Sequence, residues 1–141
     1  MSAILEFQQY VRDVLNEVED LVQGGCKAFA EDEHDILKPV PKHLSEGGTA
    51  IVVTTPEFRR DGCAADGLPL EATLRVVCEE NPAILRAKGD ASRLTALDAA
   101  ELVASELDGE KFNCAAIRQS YEPKSGILTA TVEFNVHLKL S

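Results

Sequence analysis

The sequence predicts an α+β fold, with two helices packed on one face of a largely antiparallel sheet of four to five strands. Two amphipathic helical patterns and four strand patterns support this prediction, in the order helix, hairpin, helix, hairpin. The 141 residues are predicted to form a single domain, 1–141, near the commonest domain size. Hydrophobic residues make up 45% and charged residues 27%, which is typical of a globular chain and not of a disordered one.

The first predicted element is an amphipathic helix over 3–23. Apolar residues recur at spacings of three and four from Ile4 to Val22, and acidic residues occupy the opposite face. Gly24 and Gly25 end the helix, because glycine readily adopts the backbone conformation that follows a helix C-terminus. The stripe would also fit a coiled-coil seam, although it spans only about three heptads.

The segment 26–48 has no regular period, and we expect it to be mostly irregular. Its first residues, CKAFA, are compatible with a short strand, and an edge strand is predicted around Ile36 to Val40. Pro39 and Pro41 lack backbone donors, which suits an edge strand or an extended link.

Two strands are predicted next, at 49–55 and 70–79. The first is β-branched and apolar, and the second alternates apolar with polar residues, as a half-buried strand does. Prolines and glycines within 56–69 indicate a long loop, so we expect an antiparallel hairpin with an extended tip. A second loop is predicted over 80–92.

The second helix is predicted from about 95 to 108. Thr95 precedes Asp98 by three positions, which approximates a capping box at the start of a helix. Apolar residues then recur at helical spacing, and Gly109 ends the helix.

The last hairpin has the clearest strand pattern in the chain. Its strands are predicted over about 114–121 and over 127–140, joined by a turn containing Pro, Lys, Ser and Gly. The second strand alternates apolar and polar residues throughout, and its length exceeds the usual five or six residues. We therefore expect it to extend past its neighbours and offer pairing to another subunit.

The charge balance argues against a general binder of nucleic acid or of anionic membranes. The chain has 14 Lys and Arg against 24 Asp and Glu, a formal net charge of -10. No apolar run approaches the roughly 18–20 residues of a transmembrane helix, and the N-terminus lacks the pattern of a secretory signal. We expect no membrane partner.

The sequence contains no recognisable catalytic, cofactor-binding or metal-binding motif. The four cysteines include no C-x-x-C pair, and Walker A, G-x-S-x-G and H-E-x-x-H patterns do not occur. His34 lies in the acidic run 31–35, which we interpret as a solvated loop and not as a divalent metal site. We expect no enzyme, no cofactor and free thiols; an enzyme that assembles Cys63 with a histidine and a carboxylate is the weakest hypothesis.

Two predicted loops carry basic residues against this acidic background. An aromatic residue accompanies the first basic pair, and loop aromatics often anchor interfaces. We predict that these residues contact an acidic surface of a neighbouring copy, the alternative being that they are solvated loop residues. The predicted interface residues are Phe58, Arg59, Arg60, Arg86, Lys88 and Arg93.

One segment, 70–109, resembles a pattern of a known family. A strand runs into E-N-P between Val77 and Pro82, a loop of basic and small residues follows, and Thr95 to Glu101 reads TALDAAE. This pattern is similar to that of small tail-terminator and tail-completion proteins of tailed bacteriophages. The resemblance extends over about 49–140 with gaps and includes the long last strand.

The resemblance implies a non-enzymatic structural protein of the virion. Proteins of that group form a ring, usually hexameric, that caps the tail tube and meets the head–tail connector. It implies self-association, contacts with tail tube and connector proteins, DNA only as passing cargo, and assembly in the bacterial cytoplasm into the virion tail. An acidic surplus would suit a lumen that DNA must traverse. The alternative is a small-molecule or peptide binding module of the same fold, with a pocket between helix and sheet.

Overall fold

A computed structural model of the chain describes residues 3–31, 39–60, 68–88, 93–108 and 112–140. The helices within these ranges are α1 (Ala3–Asn16), α2 (Glu19–Gln23), α3 (Pro39–Ser45), α4 (Pro82–Lys88) and α5 (Ala96–Leu107). The strands are β1 (Cys26–Ala30), β2 (Thr49–Val53), β3 (Glu57–Arg60), β4 (Leu68–Glu80), β5 (Phe112–Glu122) and β6 (Ile127–Leu140).

The described strands form one mixed sheet of six strands. Five of them lie in the order β1-β2-β4-β6-β5, and β3 pairs with the part of β4 beyond β2. The β1–β2 pair is parallel and the other pairs are antiparallel. The α+β class and both predicted hairpins are therefore confirmed, while the parallel pair and the strand β3 were not predicted.

β2 and β3 are two pieces of one interrupted strand along the same edge of β4. β2 pairs with 76–79 and β3 with 70–73. Between the two pieces, Thr54 donates to the carbonyl of Arg75 from both its backbone N–H (3.0 Å) and its hydroxyl (2.7 Å). The predicted loop over 56–69 is thus shorter than expected, because strand pairing continues past Pro56.

Alternate residues of the two central strands form the main core. Residues 72, 74, 76 and 78 of β4 and 130, 132, 134 and 136 of β6 are fully buried, in one cluster with residues of α1, α2 and α5. Phe134 is the largest of the fully buried side chains. Its ring meets Phe112 edge-on at 6.1 Å, and Phe112 stacks on Phe7 at 5.7 Å, which joins β6, β5 and α1.

A second, smaller core contains α3. Val40 and Leu44 pack with Phe29 and Ala50, which alternate along β1 and β2 with the residues of the main core. α3 therefore covers the opposite face of the sheet. The prediction of two helices on one face is not confirmed as stated, because it omits α3.

Two helices occur where irregular chain was predicted, and both begin with proline. α3 lies in the segment 26–48 and includes part of the edge strand predicted near Val40, whose residues 36–38 lie outside the described residues. α4 lies within the predicted loop 80–92. Proline in the first turn of a helix costs no hydrogen bond, because the first N–H groups have no helical acceptor. Asn81 also accepts from the N–H of Ile84 (3.3 Å), which supports the start of α4.

The predicted capping box at the start of α5 is confirmed. The Thr95 hydroxyl accepts from the N–H of Asp98 (3.1 Å), and the Asp98 carboxylate accepts from the N–H of Thr95 (3.3 Å). Glu80, at the end of β4, accepts from the N–H of Ala96 (3.1 Å). These bonds fix the first turn of α5 against the end of the central strand.

Asn16 ends α1 and blocks one edge of the sheet. Its Oδ1 accepts from the N–H of Ala28 (2.8 Å), and its Nδ2 donates to the carbonyl of Ala28 (3.0 Å). Gly25 and Glu31 bond to β2, so by alternation the backbone groups of Ala28 point away from it. The side-chain amide thus takes the place that a further strand would occupy.

We expect Phe134→Ala to lower the free energy of unfolding by about 3–5 kcal/mol, because it removes a fully buried ring and leaves a cavity. Urea unfolding followed by circular dichroism measures this difference. Val22→Ala is the control, since Val22 is 52% exposed and its loss should change stability by less than about 0.5 kcal/mol. Equal effects of the two changes would contradict the described core.

We expect Asn16→Ala to lower the free energy of unfolding by about 2–4 kcal/mol, because two backbone groups of buried Ala28 lose their partners. The same urea titration measures it. Asn113→Ala is the matched control, because Asn113 is exposed on β5. A loss no larger than that of the control would show that Asn16 does not satisfy this edge.

Candidate interaction surfaces

The predicted interface residues lie at the two ends of β4 and do not form one patch. Phe58, Arg59 and Arg60 belong to β3, where they pair with the first half of β4. Arg86 and Lys88 lie in α4, which follows the last residue of β4. β4 has 13 residues, so at about 3.3 Å per residue the two groups are separated by roughly 30–40 Å along the strand.

Arg93 lies near the end of the sheet where β4 leads into α4, and it is partly buried there. Its guanidinium lies against the backbone of Gly25, where a Cβ would collide with it. Gly25 has φ +82, a conformation that favours glycine, so this close approach and the turn into β1 both need that residue. Arg93 also lies near Cys26 and lowers the pKa of that thiol, against the larger effect of burial. Its described surroundings are those of a packing residue.

Two of the described thiols, Cys26 and Cys78, are buried, and burial raises the pKa of both. The pKa of Cys26 rises to about 12. A thiolate is the reactive form, so neither is suited to nucleophilic attack. Cys114 is partly buried against the main core. Cys63 and His34, which an enzyme or a metal site would have used, lie outside the described residues.

His43 has structural partners near the start of β1. His43 in α3 lies with its Nε2 2.9 Å from the carbonyl of Gly25, and its ring meets Phe29 edge-on. The described residues contain no group of three or more His, Cys, Asp or Glu arranged to hold a metal ion. None of the described helices combines the length and the apolar character that crossing a membrane requires.

A groove runs beside α3 over the face of the sheet that the main core does not use. Two adjoining cavities of about 300 and 380 Å³ form it, and they share Val40, Pro41 and Glu79. α3 forms one wall, the central strands form the floor, and α4 lies at one end. Most of the lining side chains are apolar: Val40, Pro41, Leu44, Val52, Val77, Ile84 and Ile127.

Glu79 is the charged residue common to both cavities. It lies on β4 between the core-facing positions of Cys78 and Glu80, so its side chain faces the groove. No hydrogen-bond or ion-pair partner of Glu79 occurs among the described residues. Burial raises the pKa of its carboxyl, because the apolar surroundings disfavour the charged form.

The alternation of strand β4 predicted the placement of Glu79 on the face opposite the core, but the sequence did not predict the groove. The groove exists because α3 covers only part of that face, and α3 itself was not predicted. The available signal was apolar Val77 beside Glu79 on a face expected to be polar. A single apolar residue on the outer face of a strand is common, so this signal was too weak to predict a groove.

β5 forms an exposed edge of the sheet. It pairs with β6 on one side, with a register shift between Cys114 and Ala116, and along the described chain no strand lies on its other side. Ile117 and Tyr121 are 40% and 57% exposed. β6 lies between β4 and β5, and its described pairing with β5 ends at Phe112 opposite Val136, so along 137–140 it pairs only with β4 among the described residues. The last strand thus extends past the described part of one neighbour, and pairing of this strand to another subunit stays a prediction.

No protein-family model and no curated protein matches the sequence. Among solved structures, the chain is similar to one from a "Virion of native gene transfer agent (GTA) particle". The likeness covers 97% of this chain and 92% of that chain, with a TM-score of 0.56 and 14% sequence identity. At this identity the comparison shows that the two chains share a fold, over nearly the whole length of each.

We expect Glu79→Gln to raise the melting temperature at pH 7, because it removes a charge from apolar surroundings. A carboxyl whose pKa is raised by folding favours the folded state most when it is protonated, and this contribution is lost as pH rises through the folded pKa. The difference between variant and wild type should therefore vanish below the ordinary value of 4.5. Scanning calorimetry across this pH range, with exposed Glu46→Gln as the control, measures it. A lower melting temperature at pH 7 would contradict the unpaired state of Glu79.

Proposed function

We propose that this chain is a non-enzymatic structural protein of a phage-like virion, and that it forms a ring at the end of the tail tube, as a tail terminator or completion protein. The supporting observation is the fold shared with a chain of the gene transfer agent virion over 97% of this sequence. The resemblance of 70–109 to tail-terminator and tail-completion proteins points to the same class of protein by a separate route.

The residues that carry the resemblance have defined places in the fold. The Val77 to Pro82 segment runs from the end of β4 to the first residue of α4. The Thr95 to Glu101 segment contains the capping box and the first residues of α5. Glu80 links the two segments through its bond to Ala96. The similar sequence pattern thus corresponds to one structural unit, which supports the resemblance.

The proposed partners follow from the ring. The chain contacts other copies of itself, in a hexamer, and the ring meets the tail tube protein on one side and head–tail connector proteins on the other. DNA passes through without being held, which suits a net charge of -10. The protein assembles in the bacterial cytoplasm and resides in the virion tail.

The two ends of β4 suit contacts between successive copies. A ring requires a heterologous contact, in which one surface of a copy meets a different surface of the next. β3 with Arg59 and Arg60 lies at one end, and α4 with the groove lies at the other. The predicted interface residues Phe58, Arg59 and Arg60 would then face a different neighbour from Arg86 and Lys88, and Arg93 would pack within its own copy.

Light scattering after size exclusion over a concentration series, followed by negative-stain imaging of the largest species, tests the proposal. Rings of about six copies are expected. A monomer at every concentration would contradict ring formation and favour the binding module, for which the groove beside α3 would be the binding site.

We expect Arg59→Glu with Arg60→Glu to weaken the oligomer, because the change reverses the charge of the β3 end, while circular dichroism stays unchanged. The midpoint concentration of assembly measures the effect. Lys124→Glu, a reversal at an exposed turn position, is the control. Unchanged assembly of the double variant would exclude β3 from the interface.

A further inference from the structure

The second half of β5, residues 117–122, is exposed on both faces and along one edge. All six of its residues are exposed, whereas the first five residues of the strand alternate between half-buried and exposed. It pairs with β6 on one side and, within the described chain, with no strand on the other. No proline interrupts it, and the irregularity in pairing lies before it, between Cys114 and Ala116. This exposed half of β5 is therefore able to pair with a further strand.

The undescribed segments on the β5 side and at the start of β4 cannot supply that strand. Residues 109–111 end at Phe112, which lies about 23 Å from Gln119 along β5, and three residues extend at most about 14 Å. Residues 61–67 end at Leu68, ten positions of β4 before the row of Gln119. That distance is about 33 Å, and seven residues extend at most about 29 Å.

The other two internal gaps, 32–38 and 89–92, adjoin residues on the opposite side of the sheet. Glu31 bonds to the last residue of β2, and Leu94 bonds to Gly24, just before β1. A strand beside β5 would lie four strand spacings, or about 19 Å, from β2. Each gap is fixed at both ends, and neither is long enough to reach this position. None of the four internal gaps therefore covers the exposed half of β5.

The exposed half of β5 is complementary to a second copy of itself. Ile117 and Tyr121 share one face of the strand, and the alternation places Arg118 and Glu122 on the other. Arg118 lies about 13 Å from Glu122 along the strand and has no ion-pair partner among the described residues. In an antiparallel pair of copies centred on Gln119, Ile117 lies directly opposite Tyr121 of the second copy. Arg118 then lies diagonally opposite Glu122 of that copy, within reach of a long side chain.

We propose that two copies of this chain pair through the exposed half of β5, antiparallel and centred on Gln119, and so join their sheets into one. Each Ile–Tyr contact and each ion pair forms twice by symmetry, which favours a second copy over an unrelated strand. The contact is isologous, because both copies use the same surface, whereas a ring needs heterologous contacts. It goes beyond the proposed ring, does not depend on it, and uses none of the predicted ring residues.

Disulfide cross-linking of the full chain tests the centre of the contact. Gln119→Cys places a thiol at the symmetry axis, where paired Cα atoms lie about 4.5–5.5 Å apart, within the range that a disulfide spans. Asn113→Cys is the matched control, because Asn113 is exposed on the same strand and its two copies would lie roughly 40 Å apart. Under mild oxidation, Gln119→Cys should give covalent dimers at least about tenfold faster than Asn113→Cys or the wild-type chain, because pairing holds its thiols together. Non-reducing electrophoresis measures the rates.

Charge exchange within one chain tests the ion pairs. Arg118→Glu and Glu122→Arg each bring two like-charged pairs together, so each should raise the dissociation constant of the dimer roughly tenfold or more. A chain with both changes again has opposite charges in every pair, and its dissociation constant should return to near the wild-type value. Sedimentation equilibrium at low salt measures these constants. Glu46→Arg, an exposed reversal on α3, is the control, and circular dichroism verifies the fold of each variant.

The outcomes separate this contact from the proposed ring. Rapid cross-linking at position 119 and restoration by the double charge exchange support the contact. Equal cross-linking at positions 113 and 119, or single reversals that leave the dimer unchanged, overturn it. Rings of six that do not cross-link at position 119 overturn the contact and support the ring, whereas cross-linked dimers that never form rings do the reverse. A wild-type chain that is monomeric at every concentration overturns both. If the charge variants fail to fold, the cross-link at the exposed position 119 decides alone.

Discussion

The pairing of β4 with β6 is the interaction on which the other elements depend. It runs without interruption from Leu68 opposite Leu140 to Glu80 opposite Leu128. Alternate residues from 72 to 78 in β4 and from 130 to 136 in β6 lie in the main core, where α1, α2 and α5 pack. β2 and β3 share the free edge of β4, and β5 pairs with the free edge of β6. The groove and the β3 end are held apart because both are attached to this one rigid strand pair.

Elements of the fold that local sequence patterns determine could be predicted. Elements that depend on contacts between distant residues could not. Alternation predicted β4 and β6, and the Thr95–Asp98 spacing predicted the start of α5. The helices α3 and α4 were missed because proline signals an edge or a loop as readily as a first helical turn. The parallel β1–β2 pair has no local signal, since its partners are joined only through α3 and residues outside the described ranges. The groove could not be predicted before α3 was placed.

Stability and assembly place opposite demands on the surface of the sheet. Asn16 satisfies the outward backbone groups of Ala28 in β1, which removes two groups that a partner strand would need at that edge. Glu79, by contrast, leaves a charge without a described partner beside apolar side chains. A residue that lowers the stability of the isolated subunit is tolerated when binding removes the cost. The edge at Ala28 is thus closed to strand pairing, while the face beside α3 keeps a charge that a specific contact can use.

The position of β6 in the sheet has a consequence for synthesis on the ribosome. β6 is the last strand in chain order, yet it lies in the interior, between β4 and β5. A nascent chain that has released α1 through β5 therefore carries β4 with one edge unpaired, and β5 with no partner strand. Apolar strands in that condition are prone to misassociation until the last strand emerges. A delay between the synthesis of β5 and of β6 should thus lower the yield of native protein by prolonging this condition.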